Sequence, residues 1–335
     1  MEMQKNNRIF YYDNLRFFLI LTVVVGHFVE VINPLPETFK SLFFWIYSFH
    51  MPMFIFLSGM FHKNDKIVPK VTRFLMIGFV LNIVMFLERL ALGWEASISF
   101  FNTGGLPWYM LILAGYTALT YLLRKLDKRS ILIFAIILGL FSGYDHSLGD
   151  TFAISRFIVF YPFYVLGNMI TPDKPLKVLE KKWIKIIGIF VFVLWAAICV
   201  FKLDSVYVIR PLLSGRVPFG DELGKLAFLY RGLTYIVTII AGFGVMCVIP
   251  QMKIPIVTRI GGRTLQIYFW HYLVLRIFIY LQLGEVLCVN PLGKLIWLLL
   301  AVVCTIVTGL KPFGFPTNQI VNMSRYAKEQ TEKKQ

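Results

Sequence analysis

Acidic residues are scarce: 18 Asp and Glu stand against 34 Lys and Arg, for a formal charge of +16. Fewer still fall within the apolar segments, which argues against a cation channel or a proton relay built on aspartates. Cysteine is also rare. Cys199, Cys247, Cys288 and Cys304 lie in or beside apolar runs without CxxC spacing, so they read as buried thiols, not as a disulfide framework or a metal site. Internal repeats, low-complexity tracts and glycine-serine linkers are missing, so residues 1–335 are expected to form one membrane domain. There is no Walker loop, no HExxH and no GxSxG elbow, which removes the common signatures of nucleotide hydrolysis, zinc proteolysis and serine esterase chemistry. No signal peptide with a small-residue cleavage site is evident, and the first apolar block is expected to be retained as a helix.

What the chain does hold is apolar surface. It is 58% hydrophobic, 16% aromatic and 16% charged, whereas an ordinary soluble domain is about 45–50% apolar and about 25% charged. The apolar residues come in ten blocks, at about 15–33, 39–61, 71–92, 106–123, 131–143, 152–170, 183–201, 226–249, 265–283 and 291–310. Each is near the ~20 residues that cross a hydrocarbon core, the fifth being short. The expected fold is therefore all-α: a polytopic membrane protein of about ten transmembrane helices, with residues 311–335 as a tail.

The positive charge is topological. Lys and Arg crowd the segments 5–8, 63–73, 124–129, 174–185, 253–263 and the tail, while the opposite side holds only Lys40, Lys202, Arg210, Arg216 and Lys225. By the positive-inside rule both termini are expected in the cytoplasm, and no nucleic acid is needed to explain the charge.

The first block is unlike a plain anchor. In "YDNLRFFLILTVVVGHFVE", Arg16 and His27 are eleven residues apart, so they share a helix face about 16 Å apart along the axis. Asp13 lies one turn before Arg16 and Glu30 one turn after His27, near the same stripe. Asp13 and Arg16 taken singly also suit interfacial anchoring. His27 with Glu30 is harder to explain so, because ionisable groups in a membrane segment cost several kcal/mol and usually face a cavity or a partner.

The second block runs back, which puts His50 of "SFHMPMFIFLSGMF" at the depth of His27, facing a cavity or hydrogen-bonded in the bundle. Pro52 frees a carbonyl near His50 and is expected to kink the helix, and Ser58-Gly59 is expected to mark a close helix contact. Lys70 and Arg73 begin the third block, as positive-inside charge or as a phosphate clamp beside Arg16. Trp108 and Tyr109 of "PWYM" suit an interfacial belt, and Arg156 sits a turn inside the far boundary as a candidate acceptor contact. Gly261-Gly262 precede a helix start whose free N–H groups favour an anion. His271 follows in the ninth block, as does Arg276, which near mid-membrane should have a partner or line the cavity.

"DNLR" with Arg16-x10-His27, "SFHMPMFIFLSGMF", Lys70-x2-Arg73, "PWYMLIL" and "GRTLQIYFWH" occur in an order that resembles acyltransferase family 3, over roughly residues 8–275. The resemblance implies a helical bundle of about ten spans, no bound cofactor, and an acyl-CoA co-substrate, most often acetyl-CoA, taken from the cytoplasm. It also implies a catalytic histidine at His27, with Arg16, Lys70 and Arg73 near the donor. Some relatives carry a further hydrolase-like domain after the last span; its lack here makes the stand-alone branch, which includes fucose O-acetylases, the expectation.

Acyl transfer to an alcohol requires a base for the hydroxyl proton, and a neutral imidazole suits that near pH 7. Glu30 is placed to orient His27, and His50 or Arg276 are donors for the oxyanion by depth alone. Asp13, His27 and Glu30 are the catalytic candidates, and Arg16, Lys70 and Arg73 the donor-binding ones. His50, Trp108, Arg156, His271 and Arg276 are the candidates for the cavity or the acceptor. The expected acceptor is a cell-envelope sugar, polysaccharide or lipid-linked relative, acylated at the bacterial plasma membrane. Direct attack and an acyl-histidine relay both remain open, as does a transporter or flippase of a sugar- or lipid-like substrate.

Overall fold

The computed structural model describes residues 2–98, 105–149 and 151–323, with side chains from residue 10 onward. The tail cations Arg325, Lys328, Lys333 and Lys334 lie outside the described residues. The described residues are helical, with no β-strand. The chain runs through α1 (Glu2–Glu30), α2 (Glu37–Tyr47), α3 (His50–Met60), α4 (Ile67–Ala91), α5 (Trp108–Leu122) and α6 (Lys128–Phe141). It continues with α7 (Ile154–Met169), α8 (Asp173–Leu179), α9 (Lys182–Phe201) and two single turns, α10 (Leu203–Val206) and α11 (Arg210–Leu213). The last elements are α12 (Ala227–Val248), α13 (Pro255–Gly261), α14 (Thr264–Tyr280), α15 (Leu283–Leu287) and α16 (Pro291–Thr308).

Every apolar block of the sequence coincides with a helix or a helix pair. Among the described residues six stretches are long and apolar enough to cross a membrane: Phe10–Glu30, Glu37–Met60, Ile67–Ala91, Lys182–Phe201, Asp221–Val248 and Pro291–Thr308. A seventh is counted if α7 and α8, bent by 81° at their junction, make one broken span. The helices α5, α6, α7 and α14 have 15, 14, 16 and 17 residues, less than the ~20 of a straight crossing.

The two least apolar of the six stretches, Phe10–Glu30 and Glu37–Met60, are the two most enclosed by protein. The reason is physical. A helix that never meets lipid is free to carry polar groups, while α9, with Ile186, Phe190, Val200 and Phe201 all exposed, presents an apolar surface that only a bilayer would cover. α1 is accordingly the hub, packed against α2, α13, α14 and α16.

Glycine sets the close contact between α3 and α7. A Cβ on Gly59 of α3 would stand 2.0 Å from the Tyr164 carbonyl of α7, and one on Gly167 of α7 would stand 2.0 Å from the Phe56 carbonyl of α3. The close contact expected at Ser58-Gly59 is thus present, with Gly59 as its working half. Pro52 has the expected effect too. Its missing N–H leaves the Ser48 carbonyl without a helical partner, and Thr238 Oγ1 of α12 donates to it at 2.8 Å. The helix is broken there into α2 and α3.

Asn14, within "DNLR", is a staple that the sequence reading passed over. Its Nδ2 donates to the carbonyls of Pro250 and Met252, both at 2.9 Å, and its Oδ1 accepts from Thr258 Oγ1 at 2.7 Å. Gly261 closes the same joint, since a Cβ there would meet the Asp13 carbonyl at 1.8 Å. Gly261 therefore serves helix approach, and it is Thr264, the first residue of α14, that reaches a cavity.

Candidate active site

The polar face of α1 opens onto two cavities that meet end to end. The near chamber, at the amino-terminal half of α1, has about 400 Å³ and is lined by Arg16, Ile20 and Val23 of α1, by Ser58 and Met51 of α3, and by His62, Lys63, Lys70 and Thr264. The far chamber has about 470 Å³ and is lined by Val23, His27 and Glu30 of α1 with His50, Trp108 and Arg156. Val23, Met51, Tyr109 and Tyr268 belong to the walls of both. These four side chains form a septum, and His27 lies one helical turn beyond it.

The mouth of the near chamber is cationic. Arg16 Nη1 donates to Asp13 Oδ1 at 3.1 Å, and the guanidinium lies 4.9 Å from the Phe61 ring centroid. Lys70 Nζ donates to the Lys63 carbonyl at 2.8 Å and to Asp65 Oδ1 at 2.9 Å. Arg73, one turn further along α4, is not among the lining residues. His62, which the sequence reading did not single out, sits at this mouth outside the spans. Its Nδ1 lies 2.9 Å from Tyr164 Oη and its Nε2 3.0 Å from Asn64 Oδ1. Burial, with Lys70 and Lys128 nearby, holds its imidazole below the ordinary histidine range.

In the far chamber His27 is met on three sides. Its Nδ1 is 3.4 Å from Glu30 Oε2, the Tyr272 ring stands edge-on at 5.3 Å, and the His271 ring stacks on it at 5.5 Å. Glu30 is held in turn by Tyr47 Oη, which donates to Oε2 at 2.6 Å. A carboxylate only accepts, so its position favours the tautomer with the proton on Nδ1 and leaves Nε2 as the free base. Tyr47 also packs edge-on against His50 at 4.7 Å, and His50 Nδ1 is 2.9 Å from the Ile46 carbonyl. The two imidazoles of antiparallel helices are therefore in one chamber, as their depths imply.

Three candidates take positions other than those expected. Asp13 lies about 21 Å along the axis from His27, and its carboxylate binds Arg16; it holds a cation at the mouth and does not touch the histidine. His271 is fully buried behind His27 and is not a lining residue; its Nδ1 donates to the Ile267 carbonyl at 2.8 Å. Arg276 lines neither chamber. Its Nη1 donates to Glu88 Oε2 at 2.9 Å and to the Met85 carbonyl at 3.2 Å, with its guanidinium 5.5 Å from the Trp94 ring centroid. The demand for a partner is met by Glu88 of α4.

Trp108 and Arg156 are joined: the guanidinium sits 4.6 Å from the indole centroid, with Arg156 only 7% exposed. The segment 202–226 forms part of the far chamber's wall, contributing Arg210, Ser214 and Arg216. Arg231 of α12, 1% exposed and absent from the sequence reading, fixes this cap by donating from Nη1 to the Leu212 carbonyl at 2.6 Å. Ser155 Oγ donates to the Gly215 carbonyl at 2.7 Å beside it. No group of three or more His, Cys, Asp or Glu able to hold a metal ion occurs among the described residues.

The arrangement suits group transfer between two compartments. A cationic mouth opens on one side, a septum divides the space, and an imidazole beside a carboxylate lies beyond it. Searches of curated proteins and of solved structures return no match. Residues 9–310 match the family described as an acyltransferase domain, which takes in both chambers, the septum and every described helix but the first turns of α1. The chain belongs to acyltransferase family 3.

Proposed function

We propose that this protein is a membrane O-acyltransferase that moves an acetyl group from acetyl-CoA to a hydroxyl of a cell-envelope glycan or lipid-linked glycan. On this reading it is a multi-pass protein of the plasma membrane with about ten spans, some of them short, and with both termini in the cytoplasm. The near chamber then opens to the cytoplasm and the far chamber to the outside. The observation that carries the reading is the meeting of the two chambers at Val23, Met51, Tyr109 and Tyr268 with His27 just beyond.

The donor's phosphates bind at Arg16, Lys63 and Lys70, the cations of the mouth, with Arg73 one turn away. Its thioester arm runs along α1 for the ~16 Å that separate Arg16 from His27 and presents the carbonyl at the septum. The acceptor hydroxyl approaches from the far chamber. His27 takes its proton as the new C–O bond forms, and Glu30 steadies the resulting imidazolium. The tetrahedral intermediate then expels the CoA thiolate, which takes up the proton held by His27 and returns as the thiol through the near chamber. The protein thus acylates an outside acceptor without moving CoA across the membrane.

The test is purified protein in vesicles with labelled acetyl-CoA and a cell-envelope extract. Label in an alkali-labile ester, lost with His27→Ala, is the expected result. Equal CoA release by wild type and His27→Ala would refute His27 as the base. Accumulation of an unmodified solute in the vesicles would replace transfer by transport.

A further inference from the structure

The far chamber holds a second imidazole that the transfer step above does not use. His50 is only 5% exposed, and it lines the chamber together with His27. Its Nδ1 lies 2.9 Å from the Ile46 carbonyl. A carbonyl only accepts, so Nδ1 carries a proton and donates it there. Burial with no carboxylate in ion-pair contact among the described residues favours the neutral ring. Nε2 is then a bare lone pair, which accepts a hydrogen bond and gives none.

The protein supplies no donor for that lone pair. His271 Nε2, behind His27, is sealed in the bundle without a partner. His50 Nε2 is not among the sealed atoms and has no partner among the described residues, so it looks into the chamber. Tyr47 packs edge-on against the His50 ring at 4.7 Å, but its hydroxyl proton goes to Glu30 Oε2 at 2.6 Å. Glu30 in turn lies 3.4 Å from His27 Nδ1. His27 and His50 are thus joined through Glu30 and Tyr47, and each turns an open Nε2 to one enclosed space. An acceptor atom on a side chain so nearly enclosed is normally bonded, and here the donor must come from whatever enters the chamber.

We infer that the acceptor presents two neighbouring hydroxyls, one to His27 for acylation and one that donates to His50 Nε2. This rests on the transferase reading above. The second hydroxyl keeps its proton and takes no part in the bond changes; its hydrogen bond fixes which of the pair meets the base. The substrate class is therefore a vicinal diol, such as two adjacent positions of a sugar ring, and an isolated alcohol is a poor acceptor.

The experiment uses purified protein in vesicles, labelled acetyl-CoA and the cell-envelope extract, before and after periodate, which cleaves the bond between neighbouring hydroxyl-bearing carbons. Label in the untreated extract and none after periodate is the expected result. His50→Phe is expected to raise the acceptor KM about tenfold, with the KM for acetyl-CoA unchanged. His50→Gln, whose amide oxygen accepts, is expected to recover part of that loss. The Ile46 carbonyl also accepts from the Phe49 N–H at 3.2 Å, so neither variant leaves it without a partner, and melting curves verify the fold. Label that persists after periodate overturns the inference and leaves the transferase standing. So does an unaltered acceptor KM in His50→Phe, the result for a nitrogen that holds only water. Equal acceptor KM values in the two variants would assign the effect to ring shape and overturn it as well. Absence of label from wild type with untreated extract overturns the transferase reading, and this inference with it.

Discussion

His27 and His271 stack, ring centroids 5.5 Å apart and planes at 29°. His271 is fully buried and tied by Nδ1 to the Ile267 carbonyl at 2.8 Å, so it forms a fixed wall against which the His27 ring rests. His27 itself is 23% exposed and faces the chamber. One imidazole therefore faces the cavity and the other backs it. His27→Ala is expected to lower kcat by about 10²–10⁴-fold, the weight of a general base. His271→Phe, which keeps a flat ring in the stack, is expected to retain more activity than His271→Ala. Steady-state kinetics on the three variants checks the order, and equal loss from both His271 variants would mean that the ring's chemistry, not its shape, is used.

Arg16 and Asp13 form the second pair. Arg16→Ala is expected to weaken acetyl-CoA binding by about 10–100-fold, the range of a hydrogen bond to a charged group, with little change in kcat at saturation. Asp13→Asn, which keeps the acceptor oxygen but removes the charge, is expected to fall between Arg16→Ala and wild type. Calorimetric titration with CoA reads both. Unaltered affinity in Arg16→Ala would move the donor elsewhere.

Gly59→Ala is a prediction about packing. Its Cβ would stand 2.0 Å from the Tyr164 carbonyl, and backbone gives way at neither helix, so a loss of about 1–3 kcal/mol or more is expected from overpacking. Gly232→Ala meets only Leu140 Cδ2 at 3.6 Å and is expected to be neutral or mildly stabilising. Thermal unfolding in one detergent compares the two, and similar melting temperatures would contradict the α3–α7 geometry.

His62 makes stability depend on pH. Burial holds its folded pKa below that of the unfolded chain, so through the ordinary histidine range, near about 6.5, the unfolded state binds more protons than the folded one. Stability is then fully present above that range and falls as pH drops through it. His62→Gln is expected to flatten the dependence of melting temperature between about pH 5.5 and 7.5. A dependence as steep as that of wild type would assign it to other groups.

Much of the helical architecture was legible from residue order. Apolar blocks of near-membrane length, separated by charged or turn-rich segments, located the helices to within a few residues because burial in lipid requires a continuous apolar, hydrogen-bonded segment. Arg16, His27 and Glu30 could be placed on one face because helical spacing is fixed. Pro52 and Gly59 were informative for a similar reason, since a missing N–H and a missing Cβ have local consequences wherever they fall. The length criterion served less well for α5, α6, α7 and α14, which stop short of a straight crossing.

What sequence alone determined, then, is the positions of the apolar helices, the polar face of α1 and the family. Tertiary structure decided which polar groups share a space. Arg276 and Arg156 look alike along the chain, each a lone cation in an apolar run. Only packing shows that the first is bound by Glu88 while the second lines the far chamber. Asp13 belongs to the polar stripe of α1, yet its carboxylate serves Arg16 and not His27. Arg231 and the cap at 202–226 gave no periodic signal, because their partners are carbonyls from distant segments. Spacing along one helix is a property of local geometry, whereas the neighbour across a cavity is set by how helices from the whole chain pack together.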